Sequence, residues 1–176
     1  GEETELIGLD IDISDSLVLL PGSHSKCIWV SNAGKIEKFH TFLTGEMIYA
    51  ASSATILSRT VDLSVAADKE YLINGYKYCE EHGINEALFK TRILGMLFDC
   101  TPEQCMGFFT GAILCGEIRR VTEFPQKRVI IAGKMELKYP TVYLLKYFSQ
   151  KEVICVSDTA ANNAPALGAV KIYTEQ

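Results

Sequence analysis

The chain has 176 residues, 48% hydrophobic and 22% charged, with a formal net charge of −5. That length and apolar content support one folded domain with a sizeable core and exclude a disordered chain. The mild acidic balance offers no basic field for nucleic acid or an anionic membrane, and no apolar run approaches the ~20 residues of a membrane span.

In chain order, Ser16–Leu20 (SLVLL) is a short apolar run stopped by Pro21-Gly22, which reads as a strand and a turn. Residues 27–31 (CIWVS) predict a second strand, and Asn32 to Lys35 a hairpin turn, since Asn and Gly tolerate positive φ. Residues 36–43 predict a third strand, completing an antiparallel meander. At Thr44 the period changes. Helices are expected over 45–57 with Thr44 as N-cap, over 67–81 ending at Gly83, and from Asn85, as cap, to about residue 98. Thr101 and Pro102 open a fourth helix, to about residue 121, as N-cap and first helical position; its Gly107 and Gly111 permit close packing. Then follow a buried strand at 128–132, a helix at 137–148 with Pro140 in its first turn or at a kink, a buried strand at 152–156, and a helix at 164–173. Strand, helix, strand, helix with short links implies a parallel extension of the sheet. The expected fold is therefore α/β: three antiparallel strands, a helical insertion, then βαβα. That order is the ribonuclease-H-like layout.

Six cysteines occur at 27, 79, 100, 105, 115 and 155, with no C-x-x-C pair and no Cys/His cluster at metal spacing. A chain this long and apolar does not need a disulfide framework, so they read as small buried apolar side chains, and no protein metal site is expected. No basic and apolar leader opens the chain, so a cytoplasmic location is expected. The chain starts without Met in a polar segment, as a piece of a longer protein would.

The sharpest local feature is Gly22-Ser23-His24-Ser25-Lys26, in a tight turn between two strands. Gly22 lets a ligand approach the backbone, the serines offer hydroxyls, the turn offers N–H groups and Lys26 a positive charge; together these suit a phosphate. An ordinary polar hairpin with a Lys at its rim uses the same residues. It is not a Walker loop, since G-x-x-x-x-G-K-[ST] and the following helix are absent. His24 has no partner His or Cys nearby in sequence and suits a phosphate contact or the turn itself, while His40 and His82 read as structural or solvated. Glu2 and Glu3 are adjacent carboxylates: a general base for a sugar hydroxyl, or a solvated acidic end. Gly133 and Lys134 follow a buried strand, where open α/β sheets bind ligands. Arg59 and Arg92 could each hold a carboxylate or a surface ion pair.

Several segments together resemble one family. Gly1 to Gly8 (GEETELIG) looks like the R-G-E-E-T-Q-hydrophobic-hydrophobic-G segment of 2-dehydro-3-deoxygalactonokinases. Leu20 to Lys26 (LPGSHSK) is similar to their L-P-G-T-H-S-K-W, with Ser23 for Thr and Cys27 for Trp. Phe42 to Glu46 (FLTGE) resembles F-x-T-G-E, Leu88 to Arg92 (LFKTR) resembles L-F-x-x-R, and Gly111 to Ile118 resembles S-G-L-L-I-G-x-E-I. The matches fall in family order.

The resemblance implies the actin and sugar-kinase superfamily, whose members close two ribonuclease-H-like domains over ATP and substrate. Residues 1–15 would be the tail of an N-terminal kinase domain and residues 16–176 the C-terminal domain. The family's first phosphate loop, D-W-G-T-T-N, does not occur in this sequence. The resemblance makes residues 22–26 the second phosphate loop and Gly133 and Lys134 the start of the adenosine loop. It places Glu2, or alternatively Glu3, as the catalytic carboxylate, and Arg92 at the substrate. ATP and Mg²⁺ are the implied cosubstrate and cofactor. A 2-keto-3-deoxy sugar acid is the implied substrate, the N-terminal domain the implied partner, and a homodimer is compatible with the superfamily. Lys134-Met135-Glu136 departs from the smaller residues usual in the family. A binding module that kept the fold and lost the chemistry, or a kinase for another sugar, are the competing readings.

Overall fold

The computed structural model describes residues 2–133 and 135–174. Its sheet has five strands in the order β3-β2-β1-β4-β5: β1 (Ser16–Leu20), β2 (Ser25–Val30), β3 (Ile36–Phe42), β4 (Arg128–Ile131) and β5 (Glu152–Cys155). β1, β2 and β3 pair antiparallel, while β4 runs parallel to β1 and β5 parallel to β4. The expected meander and parallel extension are both present. β2 begins two residues earlier than expected because Ser25 pairs with Phe42 and carries the ladder into the turn.

The central strand is buried on both faces, which is why its sequence is a continuous apolar run and not an alternation. Leu17, Leu19, Val129 and Ile131 face one side, against α3 (Lys69–His82), α5 (Pro102–Glu123) and α6 (Met135–Phe148). Val18, Leu20, Ile130 and Ala132 face the other, against α1 (Glu2–Gly8) and α7 (Asp158–Thr174). Two helices, α2 (Thr44–Ala54) and α4 (Ile84–Leu97), complete the insertion around a smaller cluster centred on Ile48, Phe109 and Ile113. β5, expected as a buried strand, is a half-covered edge, and its Cys155 is exposed; Cys27, Cys79, Cys105 and Cys115 are buried as expected.

α3 begins two residues later and α6 two residues earlier than expected, and three further helix starts also differ. Thr44 is the first residue of α2 and not its cap, because its hydroxyl is turned into the core. Asn85 lies inside α4, whose cap position is Gly83 at φ +83°. α7 starts at Asp158, since Ser157 accepts the Ala160 N–H and opens the helix six residues early; Pro165 falls within it. Thr101 and Gln104 form the complete capping box of α5, with Pro102 following. A Cβ on Gly111 would stand 2.0 Å from the Leu72 carbonyl oxygen, so this glycine is what lets α5 and α3 touch backbone to backbone. Among the described residues no helix is long and apolar enough to cross a membrane.

Candidate phosphate-binding site

Parallel pairing sets the carboxyl ends of β1 and β4 side by side, and the Ala132 N–H donates to the Leu19 carbonyl at 2.9 Å. The chain then turns at Pro21 on one strand and Gly133 on the other. Gly133 has φ +109°, and a Cβ on it would lie 2.7 Å from the Pro21 carbonyl oxygen. A residue with a side chain would be strained in that conformation and would push the two turns apart.

The turn after β1 is held from a second side by α2. The Gly45 N–H lies 3.1 Å from the carbonyl oxygens of both Gly22 and Ser23, and the Glu46 N–H donates to Ser23 at 3.3 Å. Two of the free donors of the α2 N-terminus are thus spent on the turn's carbonyls. His24 Nε2 lies 2.7 Å from Glu46 Oε1. Within the turn, the Gly22 N–H donates to Ser25 Oγ at 3.3 Å. Ser25 is fully buried, so its hydroxyl braces the turn from beneath.

α1 delivers the acidic residues. It packs on α7 so closely that a Cβ on Gly8 would stand 1.7 Å from the Ala164 carbonyl oxygen, and one on Gly168 1.8 Å from that of Thr4. This docking brings Glu2 Oε1 to 3.0 Å from Lys26 Nζ, which also donates to the His24 carbonyl at 2.9 Å. The hydrogen bond from Lys26 holds the Glu2 carboxyl below its ordinary range, so it is ionised at neutral pH. One turn further along α1, burial pushes the Glu5 carboxyl up, and the charge of Glu2 adds to the effect.

Glu2, Gly22, His24, Lys26 and Gly133 line one cavity of about 300 Å³, together with Glu5 and Asn162. Three sequence segments singled out independently therefore meet at the carboxyl end of the sheet. Glu3 is exposed and is not among the lining residues. Ser23 faces a second, more apolar cavity of about 580 Å³ on the other side of the turn, floored by Ile48, Thr110 and Leu137 and flanked by Tyr139 and Tyr143. Gly22 is the one described residue that lines both cavities. Lys134 lies outside the described residues. Arg92 stands elsewhere, in clefts it shares with Arg59, and its Nη1 donates to the Ile56 carbonyl at 2.9 Å. His40 packs on Phe124 and His82 lies beside Glu81 and Glu86, both away from the turn. Among the described residues no three of His, Cys, Asp and Glu gather as a metal cluster.

Sequence reasoning missed Glu5, Asn162 and the whole second cavity. Glu5 had a signal: it lies three residues after Glu2, on the same face once residues 2–8 are helical. The second cavity had none, because its walls come from segments between residues 22 and 143.

Comparison with known proteins points the same way. The chain is 26% identical over 130 residues to a 2-dehydro-3-deoxygalactonokinase of Escherichia coli, covering 70% of this chain and 42% of that protein. It is 44% identical over 64 residues to a protein of Rhizobium meliloti named "Probable 2-dehydro-3-deoxygalactonokinase", covering 35% of this chain and 20% of that one. The chain thus spans less than half the length of these curated relatives. A solved structure of a candidate 2-dehydro-3-deoxygalactonokinase from Sinorhizobium meliloti superposes with a TM-score of 0.81 at 24% identity, covering 98% of this chain and 60% of that one. An activator of 2-hydroxyisocaproyl-CoA dehydratase from Clostridium difficile, solved with bound ADPNP, shares the fold at a TM-score of 0.56 and 13% identity, over 99% of this chain and 69% of its own. The profile of the 2-keto-3-deoxy-galactonokinase family matches residues 1–166. A match of that extent takes in every element from α1 into α7, and on it the chain belongs to the 2-keto-3-deoxy-galactonokinase family.

Proposed function

We propose that this chain is the C-terminal part of an ATP-dependent sugar-acid kinase that phosphorylates the terminal hydroxyl of 2-dehydro-3-deoxy-D-galactonate. In this reading it is a ribonuclease-H-like domain of the actin and sugar-kinase superfamily. Residues 1–15 are the tail of an N-terminal domain that completes the site, and this chain alone is inactive. The observation that carries the reading is the cavity that unites Glu2, Gly22, His24, Lys26 and Gly133.

The turn and Lys26 take the nucleotide's phosphates, and the larger apolar cavity takes its nucleoside, with Gly133 and Lys134 leading from one to the other. Phosphoryl transfer asks a protein mainly for positioning and charge stabilisation, which an N–H-rich turn with one lysine supplies. Mg²⁺ is held largely by substrate phosphates and one or two carboxylates in such sites, and Glu2 and Glu5 are the carboxylates within reach of this cavity. Bound there, the ion would neutralise charge on the phosphates. Glu2, ionised and held by Lys26, accepts the hydrogen bond of the substrate hydroxyl and takes its proton; Glu3 is the alternative base. The family resemblance assigns Arg92 to the sugar acid's carboxylate, and its guanidinium keeps further N–H donors after the bond to Ile56. Closure of the N-terminal domain excludes water, the competing acceptor.

The test is phosphoryl transfer from ATP to 2-dehydro-3-deoxygalactonate, measured with the chain alone and with a family N-terminal domain added. Activity only in the supplemented sample is expected. Turnover by the chain alone would place a complete site within these residues, and silence in both would favour a binding module or another substrate.

A further inference from the structure

One buried charged side chain beneath the turn is unused by that reading. Glu117, on α5, is 2% exposed and sits under the point where β2 begins and β3 ends, where Ser25 pairs with Phe42. Its Oε2 accepts the Thr44 hydroxyl at 2.7 Å, from the first residue of α2. The Ser25 hydroxyl, which accepts the Gly22 N–H and lies 3.5 Å from the Gly22 carbonyl oxygen, is a near neighbour of the same carboxyl. Its Oε1 has no partner among the described residues, and no cation stands in salt-bridge contact with it there. The buried thiol of Cys27 is a titratable neighbour, and Cys79, Cys115 and Arg119 line a cavity together with Glu117. A carboxyl in such a place is costly if charged, and burial pushes it towards the neutral form. An apolar side chain of similar size would pack there without that cost.

We propose that Glu117 is the positioning residue of the phosphate turn: its carboxyl holds Thr44 at the head of α2, and so fixes the Gly45 and Glu46 N–H groups that grip the backbone which would receive the nucleotide's phosphates. The inference rests on the phosphate-binding reading above. A chain of hydrogen bonds supports it, running from Glu117 to Thr44, whose next residues, Gly45 and Glu46, grip the carbonyls of Gly22 and Ser23.

Two variants separate positioning from packing. Glu117→Met fills the space and leaves Thr44 without its partner; Glu117→Gln keeps a neutral acceptor. Amide hydrogen exchange of the chain reads the turn, and calorimetric titration with Mg²⁺ and ATP reads the site. In Glu117→Met, at an unchanged melting temperature, exchange at Gly22, Gly45 and Glu46 should rise about tenfold and ATP affinity should fall about tenfold, as for a lost buried hydrogen-bond partner. Glu117→Gln should stay within about threefold of the parent in both. Unchanged exchange at these three amides in Glu117→Met overturns the proposal, as does exchange raised evenly across the sheet. Equal losses in both variants overturn it too, since a charge and not a neutral link would then be required. If the parent chain itself fails to bind ATP, the phosphate-binding reading falls, and the exchange data still decide whether Glu117 shapes the turn.

Discussion

The contact between Gly45 and the turn can be tested by a substitution that helix propensity alone predicts to be favourable. Alanine in place of glycine inside a helix is worth about 1 kcal/mol. At Gly45 the new Cβ would stand 2.7 Å from Ser23 Cα and 2.8 Å from the Gly22 carbonyl oxygen. Both are backbone atoms, so no side-chain rotation relieves the clash, and overpacking of this kind costs about 1–3 kcal/mol. The turn would also be displaced from the Gly45 and Glu46 N–H groups, whose hydrogen bonds contribute about 1 kcal/mol each when intact. The clash and the loosened bonds outweigh the propensity gain, so Gly45→Ala should be destabilised by about 1–3 kcal/mol. Gly116 is the control: it lies on the exposed face of α5 with nothing within 4 Å of an added Cβ. Gly116→Ala should be stabilised by about 1 kcal/mol, or about 2–4 °C in melting temperature for a chain of this size. Urea unfolding followed by far-UV circular dichroism at constant m gives both values. If Gly45→Ala proves as stable as Gly116→Ala, the turn does not rest on α2 as described, and the reasoning from close approach fails.

Lys26→Met removes the cation shared by Glu2 and the His24 carbonyl; the chain's affinity for ATP should fall about tenfold or more, and unchanged affinity in a calorimetric titration would take Lys26 out of the phosphate site. Lys138 is fully buried and donates to the Val156 carbonyl and to Asp158, so Asp158→Ala strands a buried charge and should lower the urea midpoint at neutral pH. The hydrogen bond from Lys138 depresses the Asp158 carboxyl below its ordinary 3.8, so this stabilisation is present above that pH and is lost as pH falls through the lower folded value. Parent and variant midpoints should therefore converge in acid, and a gap that persists at the lowest pH would contradict the assignment. A thiol reagent should modify exposed Cys155 first and half-buried Cys100 next, while Cys27, whose thiol burial pushes up to about 12, and the other buried cysteines stay silent until urea is added. Rapid reaction of more than two thiols in the native chain would show the core to be open.

What could be read from the sequence was local. Pro21-Gly22 after SLVLL marks the turn because both residues act on their own dihedrals, and Thr101-Pro102 marks the α5 start because a cap needs only neighbours. Gly83 illustrates the limit: one residue ends α3 and caps α4, and Asn85, a good cap by type, is carried past the boundary into the helix. Residues 2–8 were legible as a family motif and not as a helix, so Glu5 was not placed beside Glu2. Glu117 lies in a long apolar stretch, between Leu114 and Ile118 on the buried side of α5. A lone carboxyl on an apolar helix face is a visible signal of a buried polar partner, but the partner, Thr44, is 73 residues away in sequence and only the fold brings it there.

The turn from Pro21 to Ser25 is too short to hold its own shape, and three separate elements fix it. Gly133 presses on Pro21 from the β4 side, Gly45 and Glu46 hold the carbonyls of Gly22 and Ser23 from α2, and Glu117 on α5 takes Thr44, the first residue of α2, from beneath. What these contacts leave uncovered is Gly22, which has open space where a side chain would be and lines the cavities on both sides. On the proposed reading, a nucleotide with its base in the apolar cavity and its reacting end near Glu2 would cross the turn at this residue, with its phosphates at the crossing. A side chain at position 22 would fold without clash and block that passage. The fold therefore does not require glycine here. On the proposed reading the requirement would come from the ligand, which separates Gly22 from Gly45 and Gly133, where the backbone itself demands glycine.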